Sequence, residues 1–194
     1  MQKIALGQTG LEVSSLCLGT MTWGNQTSQD DAHAQMDLAL ERGCMFWDTA
    51  EMYPVNPVRL ETLGRTEEII GQWFAARGGR ERVVLASKVP GPGQVARGGA
   101  PLSGPVLRET VENSLRRLQT DYVDIYQLHW PNRKAYHFRN IWSFDPQGQD
   151  RAKIEADMLE ILEVSQALIA EGKIRHIALS NETVWGAAKW LSLA

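Results

Sequence analysis

Short apolar runs that read as strands are each followed by a longer segment with apolar residues at helical spacing, and this alternation constrains the fold more than any other feature. The strand-like runs are Ser15 to Gly19, Met45 to Asp48, Val83 to Lys88, Tyr122 to His129 and Lys173 to Leu179. Between them, a capped segment from Thr27 to Arg42 carries Ala32, Met36, Ala39 and Leu40 on one face and stops at Gly43. A second, with Thr66 read as its cap, buries Ile69, Ile70, Trp73 and Phe74 up to Gly78. A third opens at Pro105, which suits a first helical turn, and carries Leu107, Val111, Leu115 and Leu118. Arg151 to Glu171 offers Ile154, Met158, Leu162 and Leu168, and Asn181 is read as the cap of a last helix.

Strands alternating with helices predict a parallel sheet, and functional residues at the strand ends predict a (β/α)8 TIM barrel. Ile4 and Leu6 against Leu11 and Val13, around Gly7 to Gly10, add an N-terminal β-hairpin before about five βα units. Residues 1–194 are thus expected to form a single barrel domain, incomplete at the C-terminus. Five strands cannot close a barrel that typically takes roughly 250 residues. The expectation is the N-terminal part of a longer protein; a closed dimer of half barrels is the alternative, and an intact mass equal to that of this sequence would favour it.

The strand ends carry the chemistry. Side chains alternate along Met45-Phe46-Trp47-Asp48, so Asp48 and Phe46 face one way and Met45 and Trp47 the other, with Trp47 in the core. A carboxylate facing the interior of a sheet needs a cation or several donors. Two later runs end in Lys88 and His129, and Tyr53 follows Asp48 closely. Each has a bland reading: Asp48 and Lys88 as a structural ion pair, Tyr53 as a loop aromatic, His129 as a core histidine. It is their convergence on one end of successive strands that argues for a site.

Several stretches together resemble the aldo-keto reductase superfamily over nearly the whole chain: Leu18 to Gly24, Asp48-Thr-Ala-Glu-Met-Tyr53, Gly64 to Gly71, Ala86-Ser-Lys88, Ser114 to Pro131 and Gly172 to Asn181. The segment Glu51 to Gly64 is similar to the bacterial Tas-type branch. The resemblance implies a NADPH-dependent reductase of aldehyde or ketone carbonyls with Asp48, Tyr53, Lys88 and His129 as its catalytic tetrad. Gly19, Thr20, Met21 and Asp48 would line the nicotinamide ribose, and Ser180 and Asn181 would bond the carboxamide. NADPH is inherited from the resemblance alone, because Gly19 to Gly24 lacks the Gly-x-Gly-x-x-Gly fingerprint. Ala178 and Cys17 stand where the family often has glycine.

The chemistry is consistent with the residue types. Carbonyl reduction needs a hydride donor and an acid for the developing alkoxide. Tyr53 suits the acid, with Lys88 expected to lower its pKa, Asp48 to hold Lys88, and His129 to orient the carbonyl. Two other readings stay open: a non-catalytic nicotinamide-binding regulatory subunit, and a lyase using Lys88 as a Schiff-base nucleophile. Trp23, Tyr53, His129 and Trp130 are expected to line the substrate pocket, with Tyr136, Phe138 and Trp142 on the long 131–150 loop. Bulky apolar or aromatic carbonyls would then be preferred. The Gly- and Pro-rich stretch from Val89 to Gly104 is expected to be a mobile loop over the site, not a phosphate-binding loop.

Composition excludes other classes. A net charge of -3 with interspersed signs gives no basic stripe for nucleic acid, and no apolar run is long enough to span a bilayer. The expected partner is a small-molecule carbonyl substrate and the expected location cytoplasmic. Cys17 and Cys44 are read as buried small hydrophobes, and no metal-ligand spacing is present.

Overall fold

The computed structural model describes residues 1–93, 95–137, 140–145 and 147–194. Strands β1 (Lys3–Ala5) and β2 (Glu12–Ser14) form the expected antiparallel hairpin, with Ile4 opposite Val13. Five parallel strands follow in sequence order: β3 (Cys17–Gly19), β4 (Phe46–Asp48), β5 (Val84–Val89), β6 (Val123–Leu128) and β7 (Ile174–Leu179). Helices α1 (Gln29–Glu41), α2 (Arg65–Arg77), α3 (Gly104–Leu118) and α4 (Arg151–Ala170) make the crossovers, and α5 (Val184–Leu193) follows β7. Each unit adds its strand beside the last, which is the progression of a (β/α)8 barrel. The five-stranded sheet is a partial barrel.

The core lies between the sheet and its helices. Trp47 is fully buried, edge-on to Trp73 at 5.2 Å and stacked on Phe74 at 6.0 Å, so the outward face of β4 is locked to α2. Helix α2 also approaches α3 closely: a Cβ at Gly71 would collide with the backbone of Arg117 and Leu118. The register then sets the inner face. Asp48 pairs with Ala86, and Lys88 pairs with Gln127. Because side chains repeat every second residue, Asp48, Lys88, Gln127 and His129 all point inward, stepped along successive strands.

Several local expectations change. Thr66 is not a cap: Gly64 occupies that position at φ 79°, and the buried Thr66 Oγ1 donates to the Trp23 carbonyl at 2.8 Å. Asn181 is not a cap either. It sits at φ 50°, and Thr183 caps α5 by accepting from the Gly186 amide at 3.1 Å. Cys44 is buried as expected, but Cys17 is exposed, because its register with Phe46 puts it on the inner face of an edge strand. The stretch after β5 is irregular apart from a 3₁₀ turn at Ala96–Gly99. Among the described residues, no helix is long and apolar enough to cross a membrane.

Candidate active site

Lys88 is the hub of the inner face. Its Nζ donates to Asp48 Oδ2 at 2.5 Å, to the Thr49 carbonyl at 2.9 Å and to Tyr53 Oη at 3.3 Å. An ammonium has three hydrogens, so these partners use its full donor capacity. The other carboxylate oxygen of Asp48 accepts from Gln127 Nε2 at 3.0 Å. Backbone bonds carry the chain from Asp48 to Tyr53 along the top of β5: Thr49 N–H donates to the Ala86 carbonyl at 2.8 Å and Glu51 N–H to the Lys88 carbonyl at 3.1 Å. A turn closed from Tyr53 N–H to the Ala50 carbonyl then folds the phenol back over the lysine. His129 continues β6 through its amide bond to the Val89 carbonyl at 2.9 Å, which brings its ring edge-on to Tyr53 at 6.0 Å. The structure therefore brings Asp48, Tyr53, Lys88 and His129 together.

Burial decides the charges. Burial, with the Asp48 charge second, pushes the Tyr53 phenol up to about 12. Lys88 was expected to lower it, but Asp48, in contact with the ammonium, cancels much of the lysine's field at the phenol. Burial also pulls Lys88 below its ordinary range, with Asp48 opposing. His129 is held down at about 3, first by burial and then by the Lys88 charge. At neutral pH the site thus presents a protonated phenol and a neutral imidazole, whose buried Nδ1 has no hydrogen-bond partner among the described residues.

The remaining expected residues separate into groups. Gly19 ends β3 in the open, where a Cβ would meet no atom within 4 Å among the described residues beyond its chain neighbours, and Met21, two residues on, is exposed. Thr20 is buried, and its Oγ1 donates to the Asp48 carbonyl at 2.8 Å, so its hydroxyl supports the tetrad backbone. Ser180 extends β7 through its amide bond to the Leu128 carbonyl, and Asn181 Nδ2 donates to the His129 carbonyl at 2.9 Å. Trp23 does not reach the pocket. It is 1% exposed in the main core with Ala32, Met36 and Ile69, its indole N–H donating to Gln35 Oε1, because the segment after β3 folds outward under α1 and α2.

Trp130, 7% exposed, packs with Ala50, Met52 and Tyr53. Its indole N–H donates to the Pro92 carbonyl at 3.0 Å, and a Cβ at Gly91 would meet the ring at 2.5 Å, so the ring also pins the loop after β5. On the long loop Tyr136 stacks on His137, whereas Trp142 is 97% exposed; Phe138 lies outside the described residues. Among the described residues no group of three or more His, Cys, Asp or Glu could hold a metal.

Sequence reasoning passed over Gln127 and Thr49, both of which hold the tetrad. Gln127 was findable: it is a polar residue two before His129, on the same strand face, in an otherwise largely apolar run.

A lysine-centred cluster at the C-terminal ends of parallel strands has the layout of sites in (β/α)-barrels. The sequence pattern of the "Aldo/keto reductase family" matches residues 15–193, and the chain belongs to that family. Protein tas of Escherichia coli is 43% identical over 201 residues, covering 100% of this chain and 56% of that protein. The uncharacterized oxidoreductase YrpG of Bacillus subtilis is 38% identical, covering 97% of this chain and 52% of that protein. The aldo-keto reductase AKR11C1 from Bacillus halodurans, solved in its holo form, superposes with a TM-score of 0.73 at 30% identity, covering 100% of this chain and 55% of that one. The chain spans about half the length of the curated relatives it matches.

Proposed function

We propose that this protein is a NADPH-dependent oxidoreductase that reduces aldehyde or ketone carbonyls to alcohols. The observation that carries the reading is the Tyr53 hydroxyl 3.3 Å from an ammonium that is itself held by Asp48. A nicotinamide cofactor fits the residues present: the end of β3 at Gly19 is open beside Asp48, whose side chain is 28% exposed. Gly19, Met21 and Asp48 would hold the nicotinamide ribose, with Ser180 and Asn181 at the carboxamide and the Thr20 hydroxyl supporting Asp48 from behind. NADPH rather than NADH rests on the family resemblance. When bound, the reduced nicotinamide supplies a hydride to the carbonyl carbon.

The side chains manage the proton. The carbonyl oxygen accepts hydrogen bonds from Tyr53 Oη and from an N–H of the neutral His129 ring, which polarises and orients it. As negative charge grows on that oxygen, Tyr53 gives up its proton and the alcohol forms. The phenolate left behind faces Lys88, so the ammonium stabilises charge that exists only late in the reaction, which is where such an interaction accelerates chemistry. The full commitment of the Lys88 donors, and its burial, argue for this role over a Schiff-base nucleophile.

Following NADPH oxidation by absorbance against a broad panel of aldehydes and ketones tests the reading. Turnover of at least one class is expected. Normal cofactor binding with no carbonyl ever reduced would move the protein to a nicotinamide-binding regulatory role.

A further inference from the structure

Glu51 lies between Asp48 and Tyr53, and it belongs to a ladder of alternating charges that runs through the protein behind the tetrad. The ladder begins at the fully buried Glu67 on α2, whose Oε1 accepts from Ser87 Oγ at 2.5 Å. Ser87 precedes Lys88 on β5 and faces the opposite side of the sheet. The other Glu67 oxygen accepts from Arg117 Nε at 2.7 Å, and the Arg117 guanidinium reaches on to Glu51 Oε1 at 3.7 Å. Glu51 Oε2 accepts from Arg97 at 2.9 Å, and Arg97 also donates to the Pro90 carbonyl at 2.5 Å. The ladder thus runs from Ser87, beside Lys88, through α2 and α3 to Glu51, two residues before Tyr53, and on to the loop that follows Lys88.

The fold is shaped to admit this ladder. A side chain at Gly71 would push α2 off the end of α3, and one at Gly64 would strike the Arg117 side chain at 2.5 Å. Both glycines keep Arg117 against Glu67 and Glu51. Burying Glu67 fully and withdrawing Glu51, Arg97 and Arg117 largely from water is expensive, and replacing such groups by apolar ones is often neutral or stabilising, so stability alone does not account for them. Their effect on geometry does. Glu51 has its amide on the Lys88 carbonyl, its carbonyl on the Gly64 amide at 2.8 Å, and its carboxylate between two arginines. All its polar groups are fixed, and Tyr53 is two residues away.

We propose that Glu51 is a positioning residue for Tyr53: the Glu67–Arg117–Glu51–Arg97 ladder ties the backbone under Lys88 to the turn carrying the phenol, and so sets the separation of Tyr53 Oη from Lys88 Nζ. The proposal rests on Tyr53 being the proton donor. Arg97, on the loop after β5, is the outer rung, so the same ladder couples the position of that loop to the phenol.

Steady-state kinetics on Glu51→Ala, Glu51→Gln and Arg97→Met, each also in a Tyr53→Phe background, test it. Glu51→Ala should lower kcat by up to about 10²-fold, the cost that a 1 Å misplacement of reacting groups can carry. KM and cofactor Kd should stay within about two-fold, because Glu51 itself holds neither substrate nor cofactor and the effect falls on proton donation. Glu51→Gln, which keeps an acceptor for Arg97, should recover most of the loss. With Phe at position 53 the Glu51 and Arg97 substitutions should have no further effect on residual turnover, since residues acting through one group are not additive.

Should Glu51→Ala fail to fold, Arg97→Met removes only the outer rung and should still lower kcat with KM unchanged. A folded Glu51→Ala or Arg97→Met protein with wild-type kcat overturns the proposal, as does an effect that persists undiminished in Tyr53→Phe. If Tyr53→Phe itself leaves turnover intact, it is the proton-donor reading that fails, a result distinguishable from the others.

Discussion

Gln127 Nε2 donates to Asp48 Oδ1 at 3.0 Å while Lys88 holds Oδ2, so the carboxylate at the end of β4 is fixed from two later strands at once. Neither bond could fix it alone, because a carboxylate held at one oxygen can still rotate about its last torsion. Gln127→Leu should leave Oδ1 to solvent and, with Asp48 partly exposed, cost about 1 kcal/mol of stability. A urea midpoint shift at constant slope would measure it; an unchanged midpoint would mean that water substitutes fully for the amide.

Tyr53→Phe removes the proposed proton donor and keeps the ring packed with Ala50, Met52 and Trp130. Turnover should fall by about 10² or more, the usual contribution of a positioned acid, with cofactor affinity close to wild type. Asp48→Asn should weaken both, because it releases Lys88 and alters the open end of β3. Equal effects on turnover and binding in the two variants would contradict the separate roles.

The depressed His129 gives a pH signature in stability. The unfolded chain takes up a proton at this residue as the pH falls through about 6.5, whereas the folded protein refuses it until about 3. The contribution is therefore complete above the unfolded value and is lost as the pH falls toward the folded one, at no more than about 1.4 kcal/mol per pH unit for one proton. His129→Gln should flatten the slope of unfolding free energy between about pH 6 and 4 by one proton's worth. Parallel slopes in wild type and variant would show that His129 is protonated in the folded state.

Trp130→Ala separates a loop pin from a pocket wall. With the indole spent on Pro92 and packed under Gly91, the substitution should lower kcat/KM for a small aliphatic and an aromatic aldehyde alike. A selective loss for the aromatic substrate would instead show that the ring lines the pocket. Trp142→Ala, at a side chain that is 97% exposed, should change neither.

How much of this was legible in the sequence depends on how local the cause is. Period decides element type, so the hairpin, the five parallel strands and their helices could all be read from the spacing of apolar residues. Parity decides facing, so Trp47 in the core and Asp48 with Lys88 on the inner face also followed from strand alternation once the strands were placed. Where several residues compete for one local task, pattern alone misled: Gly64 rather than Thr66 opens α2, because the threonine hydroxyl is spent on the Trp23 carbonyl. Thr183 rather than Asn181 caps α5, because the Asn181 amide is spent on His129.

What only the tertiary structure decided is whatever depends on groups far apart in sequence. Trp23 and Trp130 look alike in the chain, each close behind a strand end, yet the packing of α1 and α2 takes Trp23 into the core while the loop after β5 fixes Trp130 beside Tyr53. The ladder from Glu67 to Arg97 joins α2, α3 and two loops, and no spacing rule connects its members. The charge state of the site is of the same kind. Composition supplied a tyrosine beside a lysine, but burial and the placing of Asp48 against that lysine keep the phenol protonated, because the desolvation that sets its pKa exists only once the chain has folded around it.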